Sequence, residues 1–453
     1  MTVVEERAAD AGAAAKASTA VHRVAVFLRR HRALVVIVAV GFVARLVWVL
    51  MVDSPQPAGE ITMGDQYSYY FYGREMAAGR GYVSYTTGLP TAYYPVGYPA
   101  ILAVLFWFVA HTPFPDDYLL AAQLLNVVVS TASIVFAFAI AKRIFGPMAG
   151  LIAAGGVAVF PNLVFQVGSL QLETMFTFWC LAALCVLVLH DWTTGPPSAR
   201  RLVLFGVLLG VSVLVRPFSI WLILAVLVAA LVAGFGWRKS LVAAALPLGI
   251  VVLLSVPWTI RNAISLDAFI PTSTNTGDTL CLDRVDGATG GFRWADHEGC
   301  ADPSLPEVER NSISTRKAIR FVLDDPVGEL VQIGRRARFI FGSDHDGIEA
   351  SSLVGHGDVV SASTARTLGD VADVYFHVVT VLAVAGLVVA VVRRPRRPET
   401  VLVLVALASL VAVPLLLWGS PRFHLPFAPL LAVLAGGAVA VAIERLHQDR
   451  LRA

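Results

Sequence analysis

RRHRALVVIVAVGFVARLVWVLMV, residues 29–52, sets a basic cluster against about twenty residues of nearly unbroken hydrocarbon. Such a run is long enough to cross the ~30 Å apolar core of a bilayer as a helix. It is longer than the apolar core of a signal peptide, and no small-residue cleavage site follows it. It therefore reads as a signal-anchor and the first true span. Residues 1–32 before it are Ala-rich, charged and without an apolar stripe, which predicts a disordered cytoplasmic tail. The rest of the chain repeats the pattern: 57% of 453 residues are hydrophobic, only 15% are charged, and mean hydropathy is +0.71. Soluble domains carry about 25% charge, so this is an all-α integral membrane protein. Barrel strands would be short and alternating instead. Nothing in the sequence points to nucleic acid as a partner.

Apolar segments fall near 33–52, 97–111, 119–141, 147–160, 170–189, 202–215, 218–235, 241–258, 374–392, 400–418 and 425–443. Basic clusters stand at Arg29/Arg30/Arg32, Lys142/Arg143, Arg200/Arg201, Arg238/Lys239, Arg393/Arg394/Arg396/Arg397 and Arg445/Arg450/Arg452. The positive-inside rule places all of them in the cytoplasm. An even number of crossings must then separate the first two clusters, and one of three apolar segments there does not cross. The 97–111 segment, flanked by Pro95, Pro99 and Pro113, is too short to span and reads as an interfacial helix on the outer face. About ten spans remain: 33–258 as a core of seven, then 374–443 with three, and a cytoplasmic tail at 444–453. Both termini face the cytoplasm of a plasma-membrane protein, and loops 53–118 and 259–373 lie outside. Segments 147–160 and 202–215 are short: 147–160 either extends into its cytoplasmic loop or stops below the outer surface, while 202–215, pinned by Arg200-Arg201, leaves a recess open outward with Arg216 facing it.

Cys281 and Cys300 lie in the long outer loop, where a disulfide is expected. Cys180 and Cys185 sit within a span and read as small buried hydrophobes. The same loop holds an amphipathic stretch, 316–341, with Arg335, Arg336 and Arg338. One reading makes it an interfacial helix on anionic headgroups, the other a contact for an acceptor or a carrier phosphate.

The charges near the spans gather at outer ends: Asp65, Glu173, Arg216, Arg261 and Arg422. Arg45 alone lies within a span, either snorkelling outward or functional. A coupled transporter wants charges at the midplane and repeated halves, and neither is apparent. Acids and arginines at the outer leaflet suit a substrate whose reactive bond lies in the headgroup plane. A polyprenyl-phosphate-linked sugar is one: the tail stays in lipid, arginines take the phosphate, and one carboxylate takes a proton from an acceptor hydroxyl. Asp65 precedes a helical run at 66–78 and is either its N-cap or that base. Glu173 is either an acid favoured by its helix dipole or an auxiliary carboxylate facing Asp65. Arg261 and Asn262 are either interfacial anchors or phosphate and substrate contacts. The tyrosines 67, 69, 70 and 72 are belt residues or sugar-stacking rings. No histidine shows metal-ligand spacing, and no metal is assigned.

Several motifs recur in order along 35–440: Gly64-Asp65 with its Tyr-rich helix, Tyr94-Pro95-Val96-Gly97-Tyr98-Pro99, Ser169-Leu170-Gln171-Leu172-Glu173, Leu214-Val215-Arg216-Pro217, Pro257-Trp258-Thr259-Ile260-Arg261-Asn262, and Arg422-Phe423-His424-Leu425-Pro426. With them the chain resembles the GT-C superfamily of polyprenyl-phosphate-sugar glycosyltransferases, in the branch of protein O-mannosyltransferases and aminoarabinose transferases. The resemblance implies a GT-C-like helical bundle with its active site in the outer loops. It implies an inverting transfer of a mannose- or arabinose-like sugar to a glycan, lipid or protein acceptor. Asp65 is then the base with Glu173 beside it; Arg261, Arg216 and Arg422 hold the donor phosphate; Tyr67, Tyr70, Tyr94 and Asn262 contact substrate. The branch often has an acid directly after the aspartate, where this chain has Gln66, so a paired-carboxylate or metal role is not expected here. A transporter or flippase of lipid-linked sugars is the alternative.

Overall fold

The structure, a computed structural model, describes residues 31–52, 64–115, 117–293, 296, 299–352, 360–393 and 397–452. Most of the expected N-terminal tail, with Arg29 and Arg30, lies outside the described residues, as do Arg394 and Arg396. Among the described residues the elements are helices joined by turns, with only isolated bridges at Val83–Pro90 and Gly291–Gly419. Six helices are long and apolar enough to cross a membrane: Arg32–Val52, Tyr118–Phe145, Gly236–Leu266, Ala362–Arg393, Pro398–Leu415 and Ala428–Arg452. Pro147–Ala158 and Pro161–Gly168 form a bent pair, 58° apart, that can serve as one more. Among the described residues six helices, or seven with the bent pair, are thus long and apolar enough to cross, and the shorter helices Glu173–Val188, Ala199–Val215 and Pro217–Val232 lie where further spans are expected. The segment expected not to cross is the 13-residue helix Gly97–Val109, about 20 Å long at ~1.5 Å per residue.

Arg45 does not snorkel, and each of its guanidinium nitrogens bonds within the bundle. It is fully buried, and its guanidinium donates to the carbonyls of Gly41 and Ala158 at 2.9 Å and of Val157 at 3.1 Å. It also donates to Ser130 at 2.7 Å. Two of these carbonyls end the first half of the bent pair, where a helix leaves acceptors unsatisfied and a cation is favoured. Arg45 therefore secures the bend.

The first half of Ala428–Arg452 is the buried axis of the bundle. Glycines let neighbours approach it closely. A Cβ on Gly386 would overlap the Leu434 carbonyl, and one on Gly436 would crowd the backbone of Ala149 and Ala153. Small residues at such crossings replace the water-driven term absent between helices in lipid.

Gly97 does the same at the outer end. A Cβ there would overlap the Leu214 carbonyl carbon and the Val215 nitrogen. The contact brings the start of the 97–109 helix, and Tyr94 just before it, onto the end of the 199–215 helix beside Arg216. Gly97→Val should cost about 1–3 kcal/mol by overpacking, read as a lower apparent Tm of the detergent-purified protein.

Candidate active site

Gly64, in extended conformation, is the N-cap residue of helix Asp65–Ala77, and Asp65 is its first helical residue. The Asp65 carboxylate is not spent on capping. Its Oδ1 accepts from the Tyr94 hydroxyl at 2.7 Å, and its Oδ2 accepts from Arg422 Nη1 at 2.7 Å. Arg422 stands in the 3-10 turn Pro421–His424 between the last two long helices. Its guanidinium centre lies 5.4 Å from the Trp418 ring and 5.6 Å from Phe423. Glu173 opens helix Glu173–Val188 and Arg216 directly follows Ala199–Val215, so both lie where short helices stop. Arg216 donates to buried Glu173 Oε1 at 2.8 Å, and Arg422 Nε lies 3.9 Å from the same oxygen. Asp65, Glu173, Arg216 and Arg422 thus form one linked cluster, brought together from four parts of the chain.

Burial lifts the Asp65 carboxyl, but the charge of Arg422, the hydrogen bonds from Tyr94 and Arg422, and the charge of Arg216 outweigh it. The group is held below the usual carboxylate range. The Tyr69 and Tyr94 hydroxyls are pushed well up, first by burial and next by the Asp65 charge. Tyr69 lies one helical turn from Asp65 on the same face and packs edge-on against Tyr94 and Tyr98.

The other residues expected to bind substrate lie elsewhere. Arg261 donates to the carbonyls of Tyr82 and Thr91, both at 2.6 Å, and rests 5.0 Å from the Trp258 ring. Asn262 is buried and donates to the Ile270 carbonyl at 2.9 Å. This pair fastens the 82–91 loop and the 270 segment to the outer end of the 236–266 helix. Tyr67 packs edge-on against Tyr85, and Tyr70 is buried against Phe106. Of the four expected substrate contacts, Tyr94 alone touches Asp65; helix phase gives the second position to Tyr69.

Sequence reasoning missed Asp346, at the start of helix Asp346–Ser352. Its Oδ2 is buried without a hydrogen-bond partner, as are Glu173 Oε2 and Arg422 Nε. Burial pushes the Asp346 carboxyl up to about 6, against the charge of Arg422, with Glu173 and Glu349 adding repulsion. The run Ser343-Asp344-His345-Asp346-Gly347 offered a hint, a cluster of polar residues between an amphipathic stretch and a span. Its position comes from braces. Gln66 donates to the Ala350 carbonyl at 2.9 Å and accepts from Leu170 N–H at 2.8 Å. Asn162 accepts from Gly347 N–H and donates to Asp344, both at 2.7 Å, and His424 bonds the same Asp344.

Beside Arg216 a narrow apolar crevice runs among Phe176, Phe218, Leu410, Val413, Phe423 and Pro426. In the outer loop Cys281 and Cys300 are joined, with Cα atoms 5.8 Å apart, and pack on Ala318 of helix Glu307–Asp324.

Residues 99–260 match the family model described as dolichyl-phosphate-mannose-protein mannosyltransferase. No curated protein sequence matches the chain. Among solved structures, the oligosaccharyltransferase of Archaeoglobus fulgidus in complex with zinc and sulfate overlays with a TM-score of 0.55 at 17% identity, covering 92% of this chain and 49% of that one. The Archaeoglobus fulgidus oligosaccharyltransferase AglB with an inhibitory peptide and a dolichol-phosphate overlays at 0.50 and 14% identity, covering 94% and 52%. ArnT of Cupriavidus metallidurans bound to undecaprenyl phosphate gives 0.42 at 17%, covering 89% and 77%. The chain spans about half the length of the archaeal enzymes it matches. The chain shares the fold of these archaeal membrane enzymes, in keeping with the GT-C resemblance of its motifs.

Both Asp65 oxygens are taken by Tyr94 and Arg422, Gln66 holds backbone on both sides, and among the described residues no group of three His, Cys, Asp or Glu side chains could hold an ion. The cationic charge beside Asp65 and Glu173 is arginine.

Asp346 supplies a pH test. Its carboxyl titrates near 6 folded and ~3.9 unfolded, so between these values the folded state binds the extra proton. Stability attributable to this group should fall as pH rises from about 4 to 6 and stay level above. Differential scanning fluorimetry of wild type against Asp346→Asn should show the variant gaining relative to wild type over that window.

Proposed function

We propose that the chain is a membrane glycosyltransferase that moves a sugar from a polyprenyl phosphate to an acceptor hydroxyl on the extracytoplasmic face. The observation that carries this reading is the Asp65–Arg422 pair linked to Arg216–Glu173 at the head of an apolar crevice. An anionic headgroup with a hydrocarbon tail suits this arrangement: phosphate at Arg216 and Arg422, with the tail left in the surrounding lipid. The mannosyltransferase family match over 99–260 supports a mannose-like donor. The charge bias of the loops supports a site facing outward with both termini in the cytoplasm.

The same pairing suggests how donor and base are coupled. While Arg422 serves Asp65 alone, the carboxylate is a weak base. A phosphate arriving at Arg422 and Arg216 competes for the guanidinium and returns basicity to Asp65 when a donor is present. Asp65 then takes the acceptor proton as the acceptor oxygen bonds to C1. The C1–O bond breaks on the opposite side, its electron pair passing to the arginine-held phosphate. Attack opposite the leaving phosphate inverts the anomeric centre. Glu173 Oε2, Asp346 Oδ2 and Arg422 Nε retain hydrogen-bonding capacity for sugar or acceptor hydroxyls.

Full-length protein in nanodiscs, given labelled polyprenyl-phosphate mannose and a panel of serine peptides and glycosides, should release polyprenyl phosphate in single turnover. Asp65→Asn should lower that rate about 10²- to 10⁴-fold with donor binding retained. Arg422→Gln should weaken donor binding as well. Lipid scrambling without transfer or hydrolysis of any donor would sink the transferase reading.

A further inference from the structure

Helix Pro326–Gly342 is packed inside out. Over its first three turns the face it turns to the protein is polar: Glu329, Gln332 and Arg336 are 6%, 6% and 0% exposed, and only Ile340 at the far end buries an apolar side chain fully. Arg336 bonds Asp283 and Glu329, each at 2.6 Å, and Arg284 bonds the same Glu329. The outward face carries Val327, Leu330 and Val331, exposed by 69%, 69% and 51%. Their i, i+3, i+4 spacing makes one stripe, and Leu323, 74% exposed, extends it across the Asp325–Pro326 corner. Water would favour the reverse arrangement, since each exposed apolar side chain forgoes burial. A hydrocarbon surrounding favours this one.

The helix also sits at the right depth. Arg336 donates to the Leu415 carbonyl at 3.0 Å and Arg284 to the Leu416 carbonyl at 2.8 Å, where helix Pro398–Leu415 ends. On the outer side of a span, that level is the headgroup layer. Toward the C-terminal end the exposed face turns from apolar to cationic. Arg335, Arg338 and Phe339, with the 287–289 backbone, line a pocket of about 580 Å³. Among the described residues no carboxylate lines it, and Arg335 donates to the neutral oxygens of Ala288 and Gln332. Asp325 is spent at the far end, capping Gly328 N–H.

We propose that this helix lies in the outer-leaflet headgroup layer and that the Arg335–Arg338 pocket binds the phosphate of an anionic phospholipid. The site is separate from the Asp65 cluster, consumes no lipid, and stands whether or not the chain transfers sugar. It also divides the arginines of this stretch, Arg336 holding the fold while Arg335 and Arg338 meet lipid.

Two measurements on full-length protein test it. A spin label on Leu330→Cys in nanodiscs should collide with oxygen more than with a water-soluble nickel chelate, though by a smaller margin than a label on Leu253→Cys midway along helix Gly236–Leu266; the native cysteines are buried or bonded. Water-like accessibility at position 330 would overturn the placement. In native mass spectrometry, wild type should retain phosphatidylglycerol over phosphatidylcholine by about tenfold or more. The Arg335→Gln/Arg338→Gln double variant should lose that preference and the double lysine variant keep it. Equal retention of both lipids by wild type would overturn the binding site. Displacement of phosphatidylglycerol by an equal concentration of glycerol phosphate would reassign the pocket to a soluble anion.

Discussion

The Asp65 end of this bundle depends on one ion pair, Arg422 to Asp65, formed across 357 positions of sequence. Withdrawing two charges from water is costly, and withdrawing only one is costlier still. Any packing that puts the 65–77 helix in place without the 421–424 turn therefore leaves an unpaired charge. The same guanidinium reaches toward Glu173, already bonded to Arg216, so the constraint spreads to the two short helices that end there. Aromatic faces of Trp418 and Phe423 cover Arg422. Two residues on, His424 bonds Asp344 and stacks on Phe376 with centroids 4.2 Å apart. The turn is thereby held from its outer and its inner side.

Much of this could be read from sequence because charge is rare in the chain. Asp65, Glu173, Arg216 and Arg422 stood out as ionisable groups at predicted outer ends, and in a hydrocarbon-soluble protein such groups need partners. The helices were equally legible, since runs of about twenty apolar residues leave few alternatives. What sequence does not carry is direction. Arg261 shares depth and charge with Arg216, but its donors are taken by the Tyr82 and Thr91 carbonyls, whose positions depend on how a loop folds. Tyr69 and Tyr70 differ by one residue, hence by about 100° of helix phase. Only the site's location decides which is used.

Two further misses have the same root. Asp346 lies in an irregular outer stretch, where no periodicity predicts what a side chain faces. The 316–341 segment showed its amphipathic period plainly, yet periodicity does not say which face is inside. The usual assumption, apolar inward, is reversed at helix Pro326–Gly342 because its surroundings include lipid as well as protein. Arg45 taught a related lesson: an intramembrane cation can complete a broken helix rather than serve a ligand.

The position of Arg422 in the chain has a consequence for biosynthesis. Asp65, Glu173 and Arg216 are all made well before Arg422, which follows Arg216 by 206 residues. During insertion the first three can be threaded to the outer face, where Glu173 has Arg216 at hand and Asp65 still waits. Until the last helical hairpin enters the membrane, that carboxylate is hydrated and the outer loops have no reason to close over it. Arrival of the 421–424 turn gives that carboxylate its guanidinium partner, so maturation of the site waits on a residue made long after the other three. A ribosome-bound or C-terminally shortened chain would thus carry most of the chemistry without the residue that gathers it.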